Sequence, residues 1–136
     1  MAPRPWPPAF PAPRLPGAPS TTVVSRVGRW AVLAEVRGEV DLLSAPATRT
    51  ALRAALDSPD LLVLVVDLSK VDFLAAAGLT VLVELRDLAR VRAVDLRLVA
   101  TTRAVLRPLE VTGLRDTFRL HVDTSGPLAP HVVTSP

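Results

Sequence analysis

Apolar positions in this chain fall into short blocks, and the spacing within each block predicts an element. Thr22 to Arg26 and Ala31 to Arg37 read as two strands with Gly28 in the turn between them. A helix is expected from Ala45 to about Leu56, with Leu52, Ala55 and Leu56 facing inward and Arg49 and Arg53 outward. Ser44 suits its N-cap, and Pro46 is tolerated in a first helical turn. Leu61 to Asp67 is a continuous apolar run of strand length, the pattern of a strand covered on both faces or paired in parallel. A second helix should run from about Ala76 to Arg90. Leu96 and Leu98 alternate with Arg97 in a strand from Asp95 to Ala100. A third helix follows Thr101 or Thr102, shortened or kinked by Pro108 and ended by Gly113. A last short strand is expected at Phe118 to Val122. This order predicts an α/β domain with a mixed sheet of four to five strands packed with about three to four helices.

Composition narrows the picture. A chain of 136 residues, 49% hydrophobic and 21% charged, suits one globular domain with a real core. The net charge of +3 is small, and Lys70 is the only lysine. No basic run interleaved with aromatics is present, so nothing points to nucleic-acid binding. With no cysteine there are no disulfides or thiolate metal sites. No apolar run approaches the roughly 20 residues of a membrane helix, and no membrane association is expected. Residues 1–20 are crowded with proline, from Pro3 to Pro19, and read as a disordered arm outside the fold. They lack an apolar signal core, so a cytoplasmic location is the default. Trp6 and Phe10 could dock on a partner from that arm, but a dispensable tail is the simpler reading. The domain is expected over 21–122, with 123–136 a loose tail.

The strand at Leu61 leads through a tight loop into the second helix, a place where many proteins keep a reactive group. Here it holds Ala75, Ala76 and Ala77, followed by Gly78. Around it stand Gly38, Glu39 and Asp41 before the first helix, Asp67-Leu68-Ser69 ending the strand, then Phe73, Gly78-Leu79 and the Gly113-Leu114 ending. In order and spacing these resemble a STAS domain, and more narrowly the single-domain bacterial anti-anti-sigma factors (anti-sigma factor antagonists). The resemblance covers Thr22 to Val122 and implies the STAS fold.

The resemblance also implies an activity. Such proteins are non-enzymatic regulators of transcription. The unphosphorylated form binds an anti-sigma factor, an ATP-binding serine kinase, and so frees a sigma factor. The kinase inactivates its antagonist on a serine in an Asp-Ser-(Ser/Thr/Ala)-Gly loop. That switch loop maps onto Ala75, Ala76, Ala77 and Gly78, which puts Ala76 at the phosphoacceptor position. Ala76 has no oxygen to accept a phosphate, so covalent chemistry alone rules out that switch at this position. Thr80, one turn on, is a substitute acceptor to consider, although a solvated helix residue explains it as well.

Helical periodicity adds a second expectation. At about 100° per residue, Val81, Leu82, Leu85, Leu88 and Ala89 share one face, which suffices for the core. Leu79 and Val83 then fall on the other side, flanked by Arg86 and Arg90. That spot predicts a partner contact, with Leu79→Asp losing binding at nearly unchanged stability; the alternative is that a loop or the Pro-rich arm covers it. Asp41, Ser44 and Ser69 join Leu79, Val83 and Arg86 as expected partner-binding residues. As alternatives, cap and turn roles serve Ser44 and Ser69, and Asp67 closes its strand.

Other chemistry is poorly supported. Asp41, Asp67 and Asp72 have no spacing that certifies an acid–base pair, and His121 and His131 stand alone. No GxxxxGK[ST] or GxGxxG is present, and no cofactor or metal is expected. Two rivals remain. One is a STAS subunit docking on a transporter ATPase of the lipid-transport type. The other is a small hydrolase or phosphotransfer enzyme, which would need a nucleophile that the alanine loop lacks. The sequence leaves homodimerisation open.

Overall fold

The computed structural model describes residues 20–128. The proline-rich arm, with Trp6 and Phe10, and His131 lie outside the described residues.

Strands β1 (Thr21–Val27) and β2 (Ala31–Val40) form an antiparallel hairpin, and helix α1 (Ala45–Leu56) follows. Strand β3 (Val63–Leu74) leads into α2 (Ala76–Val91), β4 (Asp95–Val99) and α3 (Arg103–Val111). A 3-10 turn at Arg115–Thr117, strand β5 (Arg119–His121) and α4 (Ser125–Leu128) complete the order. The sheet has five strands in sequence order, and every pair after β1–β2 is parallel. The mixed α/β sheet expected from the sequence is the one observed.

The core forms because strand side chains alternate between two faces. Val32, Ala34 and Val36 of β2, with Leu64, Val66 and Leu68 of β3, point toward the helical layer. They meet Leu52, Ala55 and Leu56 of α1 and Val81, Leu82, Leu85 and Ala89 of α2. The opposite face carries a smaller cluster of Ala31, Val63, Val65 and Val99. Leu128 of α4 packs on that second face and is 6% exposed. The expectation of a loose tail from Asp123 is therefore corrected for its first residues. Asp123 starts α4 by accepting the Ser125 amide at 3.0 Å and its hydroxyl at 2.6 Å.

The expected end of β3 at Asp67 is also corrected. The strand runs on to Leu74, and β2 runs with it to Val40. Two bulges lie in between. Glu35 and Arg37 face Asp67 and Lys70, and Gly38 and Glu39 face Val71 and Phe73. Each bulge inserts one extra residue on β3. The inward residues Leu68, Val71 and Leu74 are thus spaced by three instead of two. Asp67 serves the first bulge, where its Oδ1 accepts the Ser69 amide at 2.9 Å.

Helix α3 is nine residues long and continues through Pro108 to Val111. Gly113 closes it at φ +72°, while the amides of Gly113 and Leu114 bond Glu110 and Leu109 carbonyls at 3.1 and 2.9 Å. That pair of bonds is a Schellman cap, which calls for glycine at the left-handed position.

Candidate functional site

Because β2 and β3 are parallel, both extended ends emerge at one pole of the sheet. The last ladder pair is Val40 with Leu74, and the Ala75 amide then donates to the Val40 carbonyl at 2.9 Å. The β2–α1 turn and the β3–α2 loop consequently leave the sheet side by side.

In the β2–α1 turn, Asp41 organises its neighbours. Its Oδ1 accepts the amides of Leu43 and Ser44 at 3.0 and 2.9 Å. Ser44 Oγ accepts the Asp41 amide at 3.0 Å and lies 2.7 Å from the Glu39 carbonyl, to which it donates. Ser44 stands at the N-cap position, but its side chain makes no capping bond, so the expected capping bond is absent. It is also buried, which makes it a pillar of the turn. The turn pushes Leu42 and Leu43 into solvent, 79% and 70% exposed. The sequence reading missed both. The signal was present: two adjacent leucines between Asp41 and Ser44 cannot both face the core.

Hydrogen bonds from the Ser44 backbone amide, and further from its hydroxyl and the Leu43 amide, favour ionised Asp41 and hold its carboxyl below the ordinary aspartate value. A depressed pKa means that this contribution is full above the unfolded value and is lost as pH falls through the folded one. Titration of Asp41 by NMR is expected to give a midpoint below that of an unfolded-chain aspartate. Slow exchange of the Leu43 and Ser44 amides should disappear in Asp41→Ala. An ordinary midpoint with unchanged exchange would show that the carboxylate does not hold the turn.

Across the pole, Ala75 is the N-cap residue of α2, with extended backbone and no side-chain cap. Its carbonyl accepts the Leu79 amide at 3.0 Å. Ala76 is exposed, and Ala75 and Ala77 are half-buried. Phe73, 37% exposed, stands just before them. Gly78 presses the helix onto the strands. A Cβ there would lie 2.6 Å from Leu74 Cδ1, 2.8 Å from Val40 Cγ1 and 3.1 Å from the Val40 carbonyl. No side chain smaller than a clash is available at that position except hydrogen.

The expected outer patch on α2 is corrected. Leu79 is 8% exposed and belongs to the main core. Gly78 lets the first turn sink so far that the flank carrying Leu79 is covered as well. Val83 is half-buried. Arg86 bonds Asp87 at 3.1 Å and Thr117 Oγ1 at 2.9 Å, and its guanidinium lies 5.5 Å from the Phe118 ring centroid. It is engaged within the fold. Thr80 is exposed, and its hydroxyl donates to the Ala76 carbonyl at 3.1 Å. Asp41, Ser44 and Ala75 to Gly78 thus come together at the pole. Ser69, Val83 and Arg86 stand away from it.

Residues 18–132 match the family model described as STAS domain. The chain belongs to the STAS domain family. The anti-sigma-F factor antagonist RsfA of Mycobacterium tuberculosis is 33% identical to this STAS chain over 102 residues, covering 73% of this chain and 78% of RsfA. RsfB, an antagonist of the same name from the same species, is 33% identical over 102 residues, covering 74% and 81%. The crystal structure of an anti-sigma factor antagonist from Mycobacterium paratuberculosis superposes on this STAS chain with a TM-score of 0.72 at 34% identity. That superposition covers 82% of this chain and 93% of the other.

Chemically, the pole of this STAS domain offers apolar side chains and backbone groups. Residues 75–78 bear no hydroxyl, thiol or amine. Among the described residues, no three acidic or histidine side chains converge as a metal site would require. No described helix is long and apolar enough to cross a membrane.

Proposed function

We propose that this protein is a non-enzymatic anti-sigma factor antagonist that binds an anti-sigma factor of the ATP-binding serine kinase type and frees a sigma factor. The docking surface is the pole formed by Leu42, Leu43, Phe73 and the Ala75–Gly78 loop. Ala76 occupies the phosphoacceptor position, so phosphorylation there cannot switch the protein off. One observation carries the reading. Two highly exposed leucines, held by the Asp41 network, stand beside a helix start without a hydroxyl. The relatives named anti-sigma factor antagonists support it.

The test is capture of partners by the intact protein from its own cytoplasm with ATP present, read by mass spectrometry. Recovery of a small ATP-binding anti-sigma kinase with unmodified bait is the expected result. Recovery of a transporter ATPase instead would overturn the pathway. In the recovered complex, Ala76→Ser is expected to gain one phosphate from the partner and then to release it. A serine at that position that stays unmodified would rule out the kinase type.

A further inference from the structure

Away from this pole, the outer side of the helical layer carries a groove of about 650 Å³ between α1 and α2. Leu52, Leu85 and Leu88 line its floor, Val91 stands at one end, and Arg53 and Glu84 belong to the rim. Val91 is 83% exposed. We propose that this groove seats the chain's own N-terminal segment, residues 1–19, with Trp6 and Phe10 as the anchoring side chains.

The place where the segment joins the fold points to this groove. Ser20 is the first described residue, and its hydroxyl shares a hydrogen bond with that of Thr48 on α1. Leu52, on the groove floor, lies one helical turn further along α1. The segment therefore leaves the fold against one of the two helices that wall the groove.

Its length fits. A proline-rich chain advances about 3.1 Å per residue, so Phe10 reaches about 30 Å from Ser20 and Trp6 about 40 Å. A helix with its side chains is about 10–12 Å across, so either ring can pass over α1 and descend into the groove.

Its chemistry fits as well. Proline carries no N–H, so a segment this rich in it can lie on the accessible apolar side chains of Leu88 and Val91 while stranding few donors. Its preset φ angles reduce the ordering cost of docking. Trp6 and Phe10 supply the apolar bulk. Arg4 and Arg14 are the segment's only charged side chains; Glu84 and Asp87 on the groove wall are paired with Arg49 and Arg86 but keep exposed carboxylates that can accept a second arginine.

The chain has no cysteine, so Ala9→Cys gives a single attachment point for a nitroxide on the full-length protein. Amide NMR signals of Arg53, Leu88 and Val91 are expected to lose most of their intensity. Those of Arg97 and Arg119, on strands at the far edge of the sheet, should keep theirs. Adding Trp6→Ser and Phe10→Ser should restore the groove signals. A mixture of labelled, unenriched chain with isotope-enriched, unlabelled chain should show no loss. Groove signals no weaker than those of Arg97 and Arg119 would overturn the proposal. Losses in the mixed sample would also overturn it, by assigning the groove to a second copy.

Discussion

Leu79→Asp is expected to unfold the domain instead of sparing it and abolishing partner binding alone. Leu79 is 8% exposed, inside the main core, on the first turn that Gly78 presses against Val40 and Leu74. Truncating a buried leucine costs about 2–5 kcal/mol. A carboxylate in its place adds a desolvation cost of several kcal/mol. A domain of this size has about 5–15 kcal/mol in total, so the variant should have no folded baseline in a urea titration. Val83→Asp, at a half-buried position on the same helix, should cost only about 1 kcal/mol. A native urea midpoint for Leu79→Asp would show that the residue is not held in the core.

The second large effect concerns binding. Leu42→Asp with Leu43→Asp should weaken the complex with the cognate anti-sigma factor by at least about 30-fold, or about 2 kcal/mol. Both side chains are mostly in solvent in the free protein, so stability should stay within about 0.5 kcal/mol. That separation makes the pair informative. Exposed apolar side chains on a rigid turn gain from burial against a partner and lose little rotamer freedom on docking. Asp41 Oδ1 fixes the backbone on both sides of Leu43, which supplies the rigidity. Calorimetric titration measures the effect, and an unchanged dissociation constant would place the interface elsewhere.

Much of the fold was legible because its signals are local. Leu52, Ala55 and Leu56 face inward as their spacing demands, and the run through Val66 is a central parallel strand. What stayed hidden were departures from ideal periods. The β3 bulges turned a two-residue alternation into steps of three, so the strand looked finished at Asp67 and Ser69 read as a turn residue. The buried flank of α2 depends on how closely the helix approaches the strands. That is fixed by Gly78 against Val40, a contact between residues far apart in sequence. The alanine loop was legible from its place between strand and helix, and the resemblance implied its role. Leu42 and Leu43 were not: their adjacency signalled that both could not face the core, but how far both reach into solvent follows from the hydrogen bonds of Asp41.

The Ala75–Gly78 loop keeps its shape through main-chain bonds to Val40 and Leu79 and a bond from the Thr80 hydroxyl to the Ala76 carbonyl, with none of its own side chains taking part. Its geometry and its chemistry are therefore separate traits. Serine, aspartate or alanine can occupy the exposed position at Ala76 without redrawing the backbone, while any side chain at Gly78 forces Leu74 and Val40 to move. Ala76→Ser should therefore add a hydroxyl to the loop at almost no cost in folding. What stands at this position is then free of any constraint from the fold.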